Sequence, residues 1–254
     1  HGQNGPLGVS QPRAPLPTCE AYFAAAAKEI GIPRNRDFTG EMQDGVGYYQ
    51  LTQRYFRRSS TATAFLRPAL KRANLTVKTG AQVLRIVTEK GRAVGVETPE
   101  GTICATTEVI LSSGAIGSPR LLQLSGIGPA DDLQRLGIPV VLDRPQVGSN
   151  LQDHLDLFVI AECSGDFTYD NYAKLYRSAW AGLQYLLFRK GPVASSLFET
   201  GGFWYADPTA AQPDIQFHLG LGSGIEAGVS KMNNPGVTLN SAFLRPRSRG
   251  TVRL

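Results

Sequence analysis

The sequence predicts an α+β fold, α/β overall, in two parts. Three observations carry that prediction. Apolar residues recur at helical spacing in the stretches Glu20 to Ile30 and Tyr172 to Lys190. Between them, Leu75 to Ala105 is β-branched and alternates with a period of two. A strand, a loop of small residues and a helix then follow from Glu108 to Leu122, a connection typical of α/β layers. The switch from helical to period-two patterning and back divides the chain into residues 74–150 and a second part made of 1–73 with 151–254.

Taken in order, His1 to Pro17 is rich in Gly and Pro and predicts irregular structure. Thr18 is the expected cap of a helix over residues 20–30, which Gly31 and Pro33 stop. Asn35 to Gln53 reads as loop with a short strand near Tyr48, and Ser59 to Arg72 as a helix divided or kinked at Pro68. Leu75 to Lys78 is strand-like. Ala81 to Glu89, Ala93 to Thr98 and Thr102 to Ala105 predict a meander that turns at Lys90-Gly91-Arg92 and at Pro99-Glu100-Gly101. Glu108 to Ser112 is a further strand, apolar enough for burial on both faces. Ser118 is the expected N-cap of the next helix, with Pro119 at its first position. Ala130 to Leu136 predicts a short helix and Ile138 to Leu142 a strand. Tyr172 to Lys190 is amphipathic and ends at Gly191-Pro192. Ile215 to Leu219 and Thr238 to Leu244 are strands, and the basic turn Pro246 to Gly250 leads to a last one.

Composition narrows the function classes. With 42% hydrophobic and 19% charged residues, a packed core is within reach and disorder is not expected. The net charge of +5 is dispersed, so no nucleic-acid partner is expected. No uncharged apolar run approaches the roughly 18 residues that would suggest a membrane span. Cys19, Cys104 and Cys163 are widely spaced, which excludes a disulfide framework and a cysteine-rich zinc site. They point to a reducing, intracellular setting, cytoplasmic or peripheral to a membrane. His1 and His154 with Asp153 and Asp156 lack metal-ligand spacing, so no metal is expected. Ser112-Ser113 and Ser195-Ser196 lack the Gly-x-Ser-x-Gly elbow of a hydrolase. The chain starts at His1 rather than Met and stops on the β-branched run Thr251-Val252-Arg253-Leu254, so a piece of a longer protein is expected.

The loop at Ser113 to Ser118 has a logic for ligand binding. Small residues at Ser113, Gly114 and Gly117 let a ligand approach the backbone, and a helix start offers unpaired N–H groups to an anion. Composition alone is also satisfied by a plain strand-to-helix connection. A non-catalytic binding or interaction module therefore stands as the alternative reading.

The run Gly114-Ala115-Ile116-Gly117-Ser118-Pro119-Arg120-Leu121-Leu122-Gln123-Leu124-Ser125-Gly126-Ile127-Gly128 resembles the second signature of the glucose–methanol–choline (GMC) oxidoreductases. Blocks resembling other parts of that family flank it in order: His1-Gly2 with Gly5-Pro6-Leu7; Gln53-Arg54 with Arg58-Ser59; Asn74 to Val77; Val147 to His154; and Leu244-Arg245-Pro246 with Ser248-Arg249-Gly250. The tone is that of choline-dehydrogenase-like members.

The resemblance implies FAD as cofactor and oxidation of an alcohol substrate, the hydroxyl proton passing to a His base and hydride to the flavin. It implies that residues 74–150 are part of an FAD-binding domain. Residues 1–73 and 151–254 would be a substrate-domain portion of antiparallel sheet and helices. By position in the motifs, Val83 would reach the adenine end of FAD, and Ser113, Gly114 and Ser118 would lie along its ribose, diphosphate or ring-proximal face. The family's N-terminal Gly-x-Gly-x-x-Gly unit has no counterpart here. Gly220-Leu221-Gly222-Ser223-Gly224 is a poor imitation and reads as loop. The family's catalytic His would lie beyond Leu254, so no catalytic residue is assigned, and His154 is expected to organise a loop. These residues alone are expected to hold FAD only loosely, to oxidise no alcohol, and to self-associate through open strand edges. They do not specify the alcohol, the electron acceptor, or oxidase against dehydrogenase.

Overall fold

A computed structural model describes residues 2–12, 15–165, 167–224 and 232–254. His1, which opens the first family-like block, lies outside the described residues. Along the chain come α1 (Pro17–Ile30), β1 (Gly45–Tyr48), β2 (Gln53–Arg54), β3 (Arg57–Arg58) and the short α2 (Arg67–Ala69), which continues a π-helical turn at Ala62–Leu66. Next are β4 (Arg85–Glu89), β5 (Arg92–Thr98), β6 (Gly101–Cys104), α3 (Gly114–Leu124), β7 (Ile127–Gly128), α4 (Ala130–Arg135) and β8 (Leu142–Asp143). The remainder is β9 (Leu155–Glu162), a 3-10 turn at Tyr169–Ala173, α5 (Leu175–Phe188), β10 (Thr200–Trp204), β11 (Ile215–Gly220) and β12 (Gly236–Phe243). Helices mixed with antiparallel sheet are the α+β class expected.

The chain divides into two compact units, His1–Leu75 with His154–Arg245, and Thr76–Asp153 with Pro246–Leu254. The first is built on a five-stranded sheet in the order β1-β10-β11-β12-β9, antiparallel throughout. Helix α1 lies on it because Cys19, Phe23 and Ala26 recur at a helical spacing on one face and are buried. They meet Ile32, Val46, Leu219 and Leu221 in the core. The cap expected at Thr18 is not used: Pro17 occupies the first turn, and Leu16, whose side chain cannot cap, precedes it. Thr18 instead donates its hydroxyl to the Phe167 carbonyl at 2.7 Å. Strand β12 alternates buried and half-buried residues along its whole length, as a central strand with two unlike faces should. Strand β10 contains Gly201 and Gly202, which weaken strand propensity. The packing demands them, since a Cβ at Gly202 would lie 2.6 Å from the Gly45 carbonyl of the neighbouring strand. Gly220 ends β11, and residues 221–224 form bends rather than a helix, so this glycine cluster is loop as expected.

In the second unit, β4, β5 and β6 form the antiparallel meander. Helix α3 is pinned to it at its C-terminal end, where the Ile86 amide donates to the Ser125 hydroxyl at 2.8 Å in a buried position. Several expected strands are absent. Residues 75–78, 108–112 and 251–254 form no ladder, and the strand expected at Ile138 to Leu142 is reduced to β8, which pairs in parallel with β7. The reason is common to all: β-branched residues make a strand only where a partner backbone lies alongside. Among the described residues none flanks 108–112, and Ile110 is 79% exposed. Residues 246–254, expected with the substrate-domain portion, pack in this unit instead. The Val252 amide donates to Gly148 O at 2.7 Å, and Gln123 Nε2 donates to Val252 O at 2.9 Å.

Candidate functional site

Helix α3 begins five residues earlier than its sequence suggests. Ser113 is the residue before the first turn, and Ser118 and Pro119 lie inside the helix. The correction has a local cause. The Ser118 hydroxyl reaches back and accepts the Ser113 amide at 3.1 Å, closing the turn from within. Pro119 is the sixth residue of the helix, so its missing N–H removes one intrahelical bond beyond the first turn. The Ser113 side chain makes no cap hydrogen bond, so the first amides of this 11-residue helix remain open to an anion.

A cavity of about 380 Å³ opens beside this helix. Its wall includes Val83 and Leu84 from the approach to β4, Ser113 and Gly117 from the start of α3, and Arg120 and Leu124 one and two turns on. Two of the sequence-predicted residues, Val83 and Ser113, thus share one cavity. Gly114 adjoins Ser113 with φ +82, and a Cβ built on it meets nothing within 4 Å, so the space beside it is open. Ser118 is not part of the lining and acts on the site through its bond to Ser113. Arg120 was not singled out by sequence reasoning. It is exposed at the cavity wall and, among the described residues, has no hydrogen-bond or ion-pair partner. Its signal was available, a cation in the second turn of a glycine-rich helix start.

These features fit FAD. Open helix amides and an unpaired guanidinium suit a diphosphate, and Val83, Leu84 and Leu124 offer apolar contact to an aromatic ring.

Both described histidines, His154 and His218, make hydrogen bonds. His154 Nδ1 donates to the Phe243 carbonyl at 2.9 Å, tying the entry of β9 to the end of β12. His218 on β11 donates from Nδ1 to Asn240 Oδ1 on β12 at 3.1 Å, and the Tyr49 ring lies 5.4 Å away. Among the described residues no cluster of three or more His, Cys, Asp or Glu side chains could hold a metal.

The first unit also buries a carboxyl group that sequence reasoning missed. Glu199, at the entry of β10, is 1% exposed. Its Oε2 accepts the Tyr169 hydroxyl at 3.3 Å, while Oε1 is buried without a hydrogen-bond partner. Burial pushes its carboxyl above the ordinary range, and the neighbouring Ser195 and Tyr169 side chains act the other way. Burial, with the Glu199 charge second, pushes the Cys19 thiol up to about 12. A lone acid in the apolar, glycine-rich run Leu197 to Phe203 was the available signal.

A family profile described as GMC oxidoreductase matches residues 3–156. Human mitochondrial choline dehydrogenase is 39% identical over all of this chain and 43% of its own length. An oxygen-dependent choline dehydrogenase of Brucella anthropi is 39% identical over all of this chain and 46% of its own. The chain therefore spans less than half the length of these relatives. Among solved structures, pyridoxine 4-oxidase from Mesorbium loti superposes on the whole chain with a TM-score of 0.81 at 28% identity, over 47% of its length. A formate oxidase superposes with a TM-score of 0.87 at 25% identity, over 50% of its length.

Proposed function

Because this chain belongs to the GMC oxidoreductase family, we propose that it carries part of the FAD site and part of the substrate domain of an alcohol oxidoreductase. One observation carries the reading. Val83 and the start of α3, some 30 residues apart in sequence, line one cavity whose polar and apolar groups suit a flavin dinucleotide. In this reading Val83 meets the adenine end. Ser113 and Gly114 present backbone to the diphosphate or ribose, Ser118 holds the Ser113 amide in place, and Arg120 supplies positive charge. Bound FAD would supply the hydride acceptor for alcohol oxidation. The chain's own residues bind and orient. The five-stranded sheet of the first unit belongs to the substrate side, and His154 holds its β9 and β12 together rather than moving a proton. Choline is the first alcohol to test, because the curated relatives carry its name.

The test is a chimera in which residues 1–254 replace the matching portion of the Brucella anthropi relative. The expected protein purifies yellow, and anaerobic choline bleaches it. A chimera that is folded by circular dichroism yet takes up no FAD overturns the proposal. On its own, the chain is expected to bind FAD only weakly. It has no Gly-x-Gly-x-x-Gly turn to share the diphosphate, and binding must offset several kcal/mol of lost translational and rotational freedom.

A further inference from the structure

Helix α5 turns its apolar side outward. Ala181 is buried and Gln184 and Tyr185 are half-buried on the side facing the first unit. On the opposite side Leu175, Tyr176, Trp180, Leu183, Leu186 and Leu187 are all exposed, Leu175 by 85% and Leu187 by 64%. At about 100° per residue these six occupy an arc of roughly 140° that contains no charged side chain. Cations stand at both ends: Lys174 and Arg177 near the start, Arg189 and Lys190 just past the finish. Residues 174–190 include no Asp or Glu. Beside the first turns of the helix is an open cavity of about 370 Å³ lined by Asn171, Tyr172, Tyr176, Arg177 and Trp180. The Asn171 amide nitrogen is buried without a hydrogen-bond partner.

We propose that this face of α5 docks on the surface of an anionic lipid bilayer, with the adjoining cavity receiving a phospholipid headgroup phosphate. The surface is a convex helix face rather than a groove, and it is apolar in the middle and cationic at its ends, which complements a sheet of acyl chains under negative headgroups. Tyr176 and Trp180 have the apolar body and polar tip suited to that boundary. Arg177 brings N–H donors to the cavity wall, as a phosphodiester requires. The helix lies on the bilayer rather than crossing it. Its 14 residues reach about 21 Å against about 30 Å of hydrocarbon, and among the described residues no helix is long and apolar enough to span.

The experiment is cosedimentation of the 254-residue chain with vesicles of phosphatidylcholine alone or mixed with phosphatidylglycerol. Binding is expected to the mixed vesicles. It should fall when salt is raised from about 0.1 M to about 1 M, where the screening length shrinks from about 10 Å to about 3 Å. Leu183→Glu/Leu187→Glu is expected to weaken it by about tenfold or more, since both residues are exposed and the apolar face is what inserts. Brominated lipid provides a readout that needs no destabilising change: quenching should be present in the wild type and absent in Trp180→Phe. The proposal is overturned by lack of binding to either vesicle, by unchanged binding of the double variant, or by binding of inorganic phosphate without vesicles. It is also overturned if the wild type is a dimer that Leu183→Glu/Leu187→Glu splits, which would make a second copy the occupant.

Discussion

The Ser118 hydroxyl accepts the backbone amide of Ser113 at 3.1 Å, so a residue one turn inside α3 shapes the loop that leads into it. Ser118→Ala removes the only acceptor that amide has among the described residues. An exposed bond of this kind is worth about 1 kcal/mol, which for a chain of this size lowers the melting temperature by roughly 2–4 °C. Ser118→Thr keeps the acceptor and should melt like the wild type. Equal melting of the Ala and Thr variants would show that the bond contributes nothing.

Gly114 separates backbone strain from space for a ligand. Its φ of +82 strains any L residue, so Gly114→Ala and Gly114→Val should each cost about 1–2 kcal/mol of stability. Nothing lies within 4 Å of a Cβ there, so Val should not be much worse than Ala for folding. For FAD uptake by the chimera, Val should be far worse, because its branches fill the open space. If the two variants take up flavin equally, Gly114 is not against the cofactor.

Glu199 makes a pH prediction. An acid whose native pKa lies above its unfolded value holds its proton more tightly when folded. Its contribution to stability is complete below the ordinary value of 4.5 and is lost as pH rises through the raised native value. Denaturant titrations over that window should show stability declining with pH, and Glu199→Gln should flatten the decline. A slope unaltered by that change assigns the pH dependence elsewhere.

Cysteine labelling should rank by exposure. Cys104 is exposed, whereas Cys19 is buried and its thiol is raised to about 12, which leaves almost no thiolate near neutral pH. A thiol reagent at pH 8 should modify Cys104 first and Cys19 only on unfolding, read by peptide mass. Early labelling of Cys19 would contradict its burial on the core-facing side of α1.

Strand β9 pairs with β12 along one side and, among the described residues, has no strand on the other. Leu155, Leu157 and Val159 are exposed along it. An open apolar edge favours strand-to-strand pairing. Sedimentation velocity should show concentration-dependent association that Val159→Lys reduces. A chain that stays monomeric at every concentration rejects this.

Legibility in the sequence followed the range of the interactions. The meander was readable because Lys90-Gly91 and Pro99-Glu100 set two-residue turns between alternating segments, and β4 to β6 need only each other. Strand β10 was not readable, because Gly201 and Gly202 look like loop until the neighbouring backbone that excludes a Cβ is in place. Val83, Ser113 and Gly114 were legible through motif resemblance, while Arg120 and Glu199 stand out only once exposure and burial are known.

By itself the sequence determined the class of fold, the family and the small-residue loop, since these rest on local periodicity, turn chemistry and a long motif. The tertiary structure alone decided that α3 starts at Gly114, that Val83 and Ser113 share a cavity, that residues 108–112 form no strand, and that α5 turns its apolar face to solvent. The physical reason is the same in each case. Hydrogen-bond partners, burial and open space belong to pairs of segments distant in the chain, and periodicity reports only what one segment would prefer.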